Sequence, residues 1–533
     1  MTATPQSGSN DAANSHWFSR VRDNLFKQVP NDFLAVYRVG FGLVMCWWAV
    51  EYLRHGVPFY NYTIAPYQFS YYGFSWVQPW DFALTVGGLT FDGMTLHFIA
   101  LAILSLMIAS GFCFRFAATL FGFGYAYWFL LDKCFYLNHY YLGTILSLMM
   151  PLLPAHRSFS IDAWRRPKLR STTTPAWTLW LLRFQFGIPY FFGGIAKINA
   201  DWLRGQPMRT TLSYMTEHPW VANFPFDREV MVQFICWGGL VFDLAIVPLL
   251  LFRKTRVLGY VLACMFHVSN HFLWNIGIFP WLMIVATTVY FDPDWPRRVF
   301  RWGSRAAGDA VASVAPTRLS WKQQAVFGVL CTWVLIQVLV PLRVFVMPGN
   351  PSWSEYTHHF SWHMLLRAKV TGLRVYGTDP KTGRSGTIDL REYMSQRQLR
   401  VVGRDPKMIH QLCQFISKDL ESKGYEDIEL RVLALASLNG RRPQLLIDPT
   451  VDLSKEPRDL SYPDWIVDLK EPYRHDAWNY PLAEWEQHLD LELPPQMQLP
   501  AMPPQSSTAG REVNSASRPI SSVERPVEGA SAD

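Results

Sequence analysis

Long apolar stretches separated by short polar ones dominate the first two thirds of the chain. Crossing the hydrocarbon core of a bilayer takes about 20 apolar helical residues. On that measure the pattern predicts about nine spans, near residues 33–53, 95–113, 116–131, 139–154, 176–198, 230–252, 257–274, 276–291 and 325–342. The third, fourth and eighth are short. Ahead of them, residues 16–29 interleave Trp17, Phe18, Val21, Leu25 and Phe26 with Arg20, Arg22 and Lys27, the pattern of a helix lying on a membrane surface. Beyond residue 342 the period changes. Alternation over 369–376 and 428–438 predicts strands, 440–443 a turn into 444–447, and 405–423 a helix. Four regions follow from this: a polar N-terminus with its interfacial helix (1–32), a multi-span transmembrane domain (33–342), a small α+β domain (343–493) and a disordered Pro/Ser/Gln-rich tail (494–533). The fold class is mainly α, a polytopic helical membrane bundle followed by an α+β module.

Charge turns the span count into an orientation. Lys and Arg collect in cytoplasmic loops. With the N-terminus inside, the inner segments hold Arg20, Arg22 and Lys27, then Arg115, then Arg157 to Arg170, Arg253 to Arg256, and Arg297 to Arg318. The outer loops are sparse or balanced. The α+β domain then lies outside the cytoplasm, and Asn138, His139 and Lys197 share the outer membrane face. A net charge of +7 spread beside apolar runs speaks for a lipid bilayer as partner and against nucleic acid. Half the residues are apolar, yet mean hydropathy is only +0.04, which fits a membrane portion joined to a polar one. Seven scattered cysteines show neither CxxC nor zinc-type spacing. The loop 54–94 is crowded with Tyr and Trp, as in an aromatic belt at the headgroups or a lid over a lipid-like ligand.

Candidate chemistry gathers in the fifth span. Arg183, Tyr190 and Lys197 are spaced by seven, two helical turns, and so share one face. Charges inside a membrane are costly and face a protein interior or cavity, unless they snorkel to an interface. Arg183, Lys197 and Lys133 all stand near enough to a span end to snorkel. Asn138-His139 opens the fourth span at the depth of Lys197; a histidine there also reads as a satisfied core residue, but a desolvated lysine approached by a histidine can be held as the free amine. His267 and His271 have a metal-compatible i, i+4 spacing with Asn270 between them, but no third ligand is near, and pocket lining or interhelical bonding also accounts for them. No metal is expected. Asp243, in the sixth span, requires a partner that the sequence does not identify. P-loop, GxGxxG and HExxH patterns are all missing.

Seven short motifs occur in order: LDKCFYLNHYYL (131–142), YFFGGIAKINADWL (190–203), FHVSNHFLWNIGIF (266–279), DPDWPR (292–297), FSWHM (360–364), KTGRSG (381–386) and DPTVDL (448–453). Together they resemble the vitamin K-dependent γ-glutamyl carboxylase family, with the horizontally transferred transmembrane domain of its bacterial members. The resemblance implies an enzyme in a bacterial inner or plasma membrane. It implies reduced vitamin K or menaquinol as cofactor, with O2 and CO2 as co-substrates, and a glutamate-containing exported protein as partner. It further implies Lys197 as the base that deprotonates the quinol, with epoxidation coupled to γ-carboxylation, and His139 as the catalytic histidine. Asn138, Arg183, Tyr190, His267 and Asn270 match quinol-pocket positions, while Trp353, Ser361 and Trp362 match the region that helps bind glutamate. His358 and His363 stand where animal members carry a tyrosine and an acid. Two other readings remain open: a quinol-oxidising or epoxidising enzyme without peptidyl-glutamate carboxylation, and a non-enzymatic scaffold or transporter on the same fold.

Overall fold

The computed structural model describes residues 21–215, 228–274, 276–301 and 319–498. The start of the interfacial helix, nearly all of the predicted tail, and Arg305 and Arg318 lie outside them. The chain divides into two compact units, one up to Ala368 and one from Lys369. Segment 343–368 therefore packs with the helical unit.

Helices stand at all nine predicted positions in that unit. They are α1 (Asp32–Arg54), α2 (Gly93–Ser110), α3 (Phe114–Leu131), α4 (Asn138–Met149), α5 (Trp177–Ala196), α6 (Glu229–Leu251), α7 (Arg256–Trp274), α8 (Phe279–Thr287) and α9 (Trp321–Leu342). Nine spans are not obtained, however. Among the described residues five helices are long and apolar enough to cross a membrane: α1, α2, α6, α7 and α9. The physical reasons differ for the other four. α4 and α8 are only 12 and 9 residues long before a 3-10 turn ends them. α3 and α5 have the length, but Tyr, Trp, Arg183 and Gln185 dilute their apolar character. The outward faces of α6 and α9 are apolar, with Val230, Phe234, Val241, Val329 and Leu335 exposed, as lipid contact requires.

Local signals set the helix ends. Asp92 accepts the Thr95 N–H at 2.9 Å to open α2, and Gly111 at φ +68° closes it. Ser320 and Gln323 form a reciprocal capping box at α9. The aromatic loop splits in two. Tyr62, Phe69 and Tyr71 are buried, whereas Trp76 is exposed, and 83–92 forms the hairpin Ala83–Val86/Leu89–Asp92. Inside the bundle Trp48 packs on Trp128, Tyr125 and Phe98 at 4.7, 4.8 and 5.3 Å between ring centres. One end of the bundle is tied by charge: Asp32 binds Arg297 at 2.9 Å, and Asp292 binds Arg256 and Arg298 at 2.8 and 3.1 Å. These three arginines belong to the basic segments that the charge pattern assigned to one side.

The second unit is a four-stranded antiparallel sheet. Its central pair is Lys369–Thr378 against Glu429–Leu438, in register from Lys369↔Leu438 to Thr378↔Glu429. Ser385–Thr387 and Gln444–Leu445 flank the pair, and the helix Pro406–Ser422 is capped by Asp405. Trp485 and Met497 from the C-terminal end pack with Tyr376, Leu433 and Leu435.

Candidate active site

Lys197 caps the end of α5, and its Nζ lies 2.7 Å from Oδ2 of Asp243 and 3.4 Å from the Gly193 carbonyl. The two side chains are 6 % and 4 % exposed. Trp202 covers the amine, with its ring centre 5.2 Å from Nζ. The indole N–H of Trp202 is anchored on the Cys236 carbonyl at 2.8 Å. A charge taken out of water costs several kcal/mol unless an opposite charge meets it at close range. Asp243 meets that need on Lys197, and Lys197 meets it on Asp243. Gly194 lets α6 come this close: a Cβ there would lie 2.6 Å from Leu244 Cδ2 and 3.3 Å from the Asp243 Cβ.

Two turns earlier on α5, the Tyr190 hydroxyl meets His267 Nε2 at 2.5 Å, both residues being buried. The Nδ1 of His267 is buried and has no hydrogen-bond partner among the described residues. The Phe279 ring lies 5.8 Å from that of His267 and 5.6 Å from that of His139. His139 also packs on Tyr140 at 4.3 Å. The structure thus joins His139, Phe279, His267 and Tyr190 in one continuous aromatic and imidazole cluster. Phe242, adjacent in the chain to Asp243, touches Tyr190 at 6.0 Å. Asn270 is half-buried one turn beyond His267. Among the described residues, the unpartnered buried Nδ1 of His267, set among aromatic rings, is compatible with a quinol hydroxyl as its partner.

Asn138 faces the segment that follows α9. Its Nδ2 donates to the His363 carbonyl at 2.8 Å, and its Oδ1 accepts from the Tyr136 hydroxyl at 3.1 Å. Tyr136 in turn accepts the Phe360 N–H at 2.7 Å. The segment 357–364 is thereby fastened over the start of α4. It also reaches the end of α5, because a Cβ on Gly193 would come within 3.0 Å of Met364 Cε and 3.8 Å of the Trp362 carbonyl. Trp353, Ser361 and Trp362 are all buried, at 1, 2 and 1 % exposure. The Ser361 hydroxyl donates to the Thr357 carbonyl at 2.7 Å, and the Trp362 ring packs on Tyr141 at 5.0 Å.

Arg183 lies elsewhere. Its guanidinium donates to the carbonyls of Val289, Tyr290 and Phe291 at 3.0–3.1 Å, and the Tyr290 hydroxyl returns a 2.6 Å bond to the Arg183 carbonyl. Fourteen residues of helix put it about 21 Å from Lys197. Among the described residues no group of three or more potential metal ligands gathers, and His271 packs on Trp281 at 5.5 Å. The sequence flagged Asp243 as a charge in an apolar helix, but the 46 positions separating it from Lys197 gave no sign of the pairing. His363 and Tyr136 lie inside the motifs 360–364 and 131–142, but nothing in the sequence pointed to their contacts with Asn138.

Burial, reinforced by the charges of Lys197 and Arg343, pushes the His363 imidazole down to about 4. An unfolded chain binds that proton near pH 6.5. Stability from neutral His363 is therefore complete above about 6.5 and lost as pH falls towards 4. His363→Gln is expected to flatten the fall in Tm across that window. If the variant loses Tm with acid as steeply as the parent, His363 is not the group responsible.

Residues 26–295 match the family model described as the HTTM domain. Residues 322–472 match that of the vitamin K-dependent gamma-carboxylase lumenal domain. No solved structure matches the chain.

Proposed function

We propose, for a chain that belongs to the vitamin K-dependent gamma-carboxylase family, that it is a membrane enzyme which oxidises a vitamin K-type quinol with O2 and uses that reaction to carboxylate glutamate in an exported protein. The observation that carries this reading is the buried Lys197, ion-paired and roofed by Trp202, at the helix end leading into the Tyr190–His267–Phe279–His139 cluster. When bound, the quinol supplies, with oxygen, the driving force for removing a γ-proton from glutamate. Lys197 takes the quinol hydroxyl proton, and the site must exclude water for a phenol of pKa about 10 to yield to it. His267 and Tyr190 orient the ring through the unfilled Nδ1 and the aromatic wall. His139 serves the carboxylation step, and Asn138 holds the outer segment over it. Arg183 contributes by fixing the carbonyls after α8.

A second reading has one observation in its favour. With Trp353, Ser361 and Trp362 buried, their groups are turned to packing, which supports quinol oxidation without peptide carboxylation. One assay separates the two: full chain in nanodiscs with reduced menaquinone or vitamin K, O2, bicarbonate and a glutamyl peptide. Epoxide with carboxylated peptide supports the first reading, epoxide alone the second, and neither product sinks both.

The orientation is tested separately. In a background lacking the native cysteines, Lys381→Cys is expected to react with an impermeant thiol reagent from outside intact cells. Lys168→Cys should react only after permeabilisation. The reverse pattern would invert the proposed topology.

A further inference from the structure

We propose that Asp243 is the positioning residue of the base: it shares one proton with Lys197, and this pair, rather than an isolated amine, accepts the proton of the quinol hydroxyl. The proposal rests on the reading of Lys197 as base and deepens it. Its ground is geometric. The amine and carboxylate are 2.7 Å apart, both are almost wholly buried, and among the described residues no third charge forms an ion pair with either. Gly194 leaves the space for α6 to carry Asp243 there, and the Trp202 ring lies over the amine. Among the described residues, the titratable and charged groups facing the pair are Tyr190 on α5, Cys236 on α6, His267 on α7 through Tyr190, and, from beyond α9, His363, itself beside Arg343.

A pair holding one proton is either ammonium with carboxylate or amine with carboxylic acid, and both forms are neutral overall. In the second form the lysine nitrogen has a lone pair while the carboxyl keeps the shared proton. The quinol O–H bond breaks, its electron pair stays on oxygen, and its proton goes to the nitrogen. The product is an ammonium hydrogen-bonded to a carboxylic acid, one positive charge facing the one negative charge of the quinolate. Like a lone lysine, the pair must then release one proton before the next turnover. What Asp243 changes is the resting state, in which the second partner compensates the buried charge, so that the form ready to accept a proton is neutral overall.

The readout is the pH profile of epoxide formation by the full chain in nanodiscs, across about pH 5–9, with quinol binding measured in parallel. A carboxyl and an amine titrate several units apart in water. In Asp243→Asn only the amine is left to lose a proton, so the acid limb of kcat should move up by at least about one pH unit, with KM for quinol little changed. Asp243→Glu should return the limb towards that of the parent. Should Asp243→Asn fail to fold, Lys197→Ala and Lys197→Ala/Asp243→Asn are compared with a small amine added. Rescue should then extend to lower pH when the carboxylate is present. An Asp243→Asn limb at the parent position, or amine rescue with the same pH dependence in both backgrounds, overturns the shared proton and leaves Asp243 a structural counter-ion. A Lys197→Ala chain that makes epoxide at the parent rate overturns instead the assignment of the base, and this proposal with it.

Discussion

A Lys197→Ala chain is expected to lose epoxide formation and carboxylation together, by ~10²–10⁴-fold, the range of a general base. Both products descend from one deprotonation, so neither should survive alone. The substitution sits at a helix end, where alanine fits the backbone. Its structural cost is electrostatic: Asp243, buried among helices, loses its counter-charge, and breaking such a pair costs about 3–5 kcal/mol. Quinol binding by the variant must therefore be measured, with Lys197→Ala/Asp243→Asn as the charge-balanced control. Small amines admitted to the vacated space should restore epoxide formation, in proportion to their free-base fraction in Lys197→Ala/Asp243→Asn and further down in pH in Lys197→Ala, where Asp243 is present. His139→Ala should behave differently, harming carboxylation at least as much as epoxidation and gaining nothing from added amine. A folded, quinol-binding Lys197→Ala protein with undiminished epoxide formation would falsify the assignment and leave Lys197 a buried structural cation.

The contrast between Lys197 and its partner shows what a sequence can and cannot carry here. Apolar length located the nine helices α1–α9 to within a few residues, because the cost of an unsatisfied backbone in lipid leaves little choice of conformation. Period-two alternation likewise placed the strands that became Lys369–Thr378 and Glu429–Leu438. Asn138, His139 and Lys197 stand at the ends of α4 and α5 as the pattern implied. Which helices reach spanning length was less legible, since α4 and α8 end in 3-10 turns that hydropathy does not announce. Pairings between helices were not legible at all. Asp243 against Lys197, Tyr190 against His267 and Asn138 against the His363 carbonyl depend on rotation and register between distant elements. Arg183 illustrates the converse. Helical spacing put it on the face of Lys197, yet it serves the carbonyls after α8.

Helix register also sets the stability of the bundle, and Gly42 is a position where a large structural effect is expected. On α1 it faces α2 so closely that a Cβ would stand 2.6 Å from the Ser105 carbonyl oxygen, 2.7 Å from the Ala109 nitrogen and 2.8 Å from the Ala109 Cβ. Two of those atoms are backbone and cannot swing aside. Without a hydrophobic drive between helices in lipid, such close packing is what holds them together. Gly42→Ala should therefore cost about 1–3 kcal/mol through overpacking, and Gly42→Val should yield little folded protein. The damage would reach the site. Trp48 and Tyr52 lie on the same helix, and the Tyr52 hydroxyl bonds to that of Tyr140, next to His139. Pushing α1 away from α2 should thus weaken quinol binding even in the alanine variant. Gly238, on α6, provides the control, because nothing lies within 4 Å of a Cβ built there. Gly238→Ala should leave Tm unchanged or raise it, since alanine is favoured over glycine in a helix by about 1 kcal/mol. Melting of the two alanine variants in detergent, followed by tryptophan fluorescence, decides the matter. Equal Tm values for Gly42→Ala and Gly238→Ala would mean that the α1–α2 contact is looser than its geometry requires.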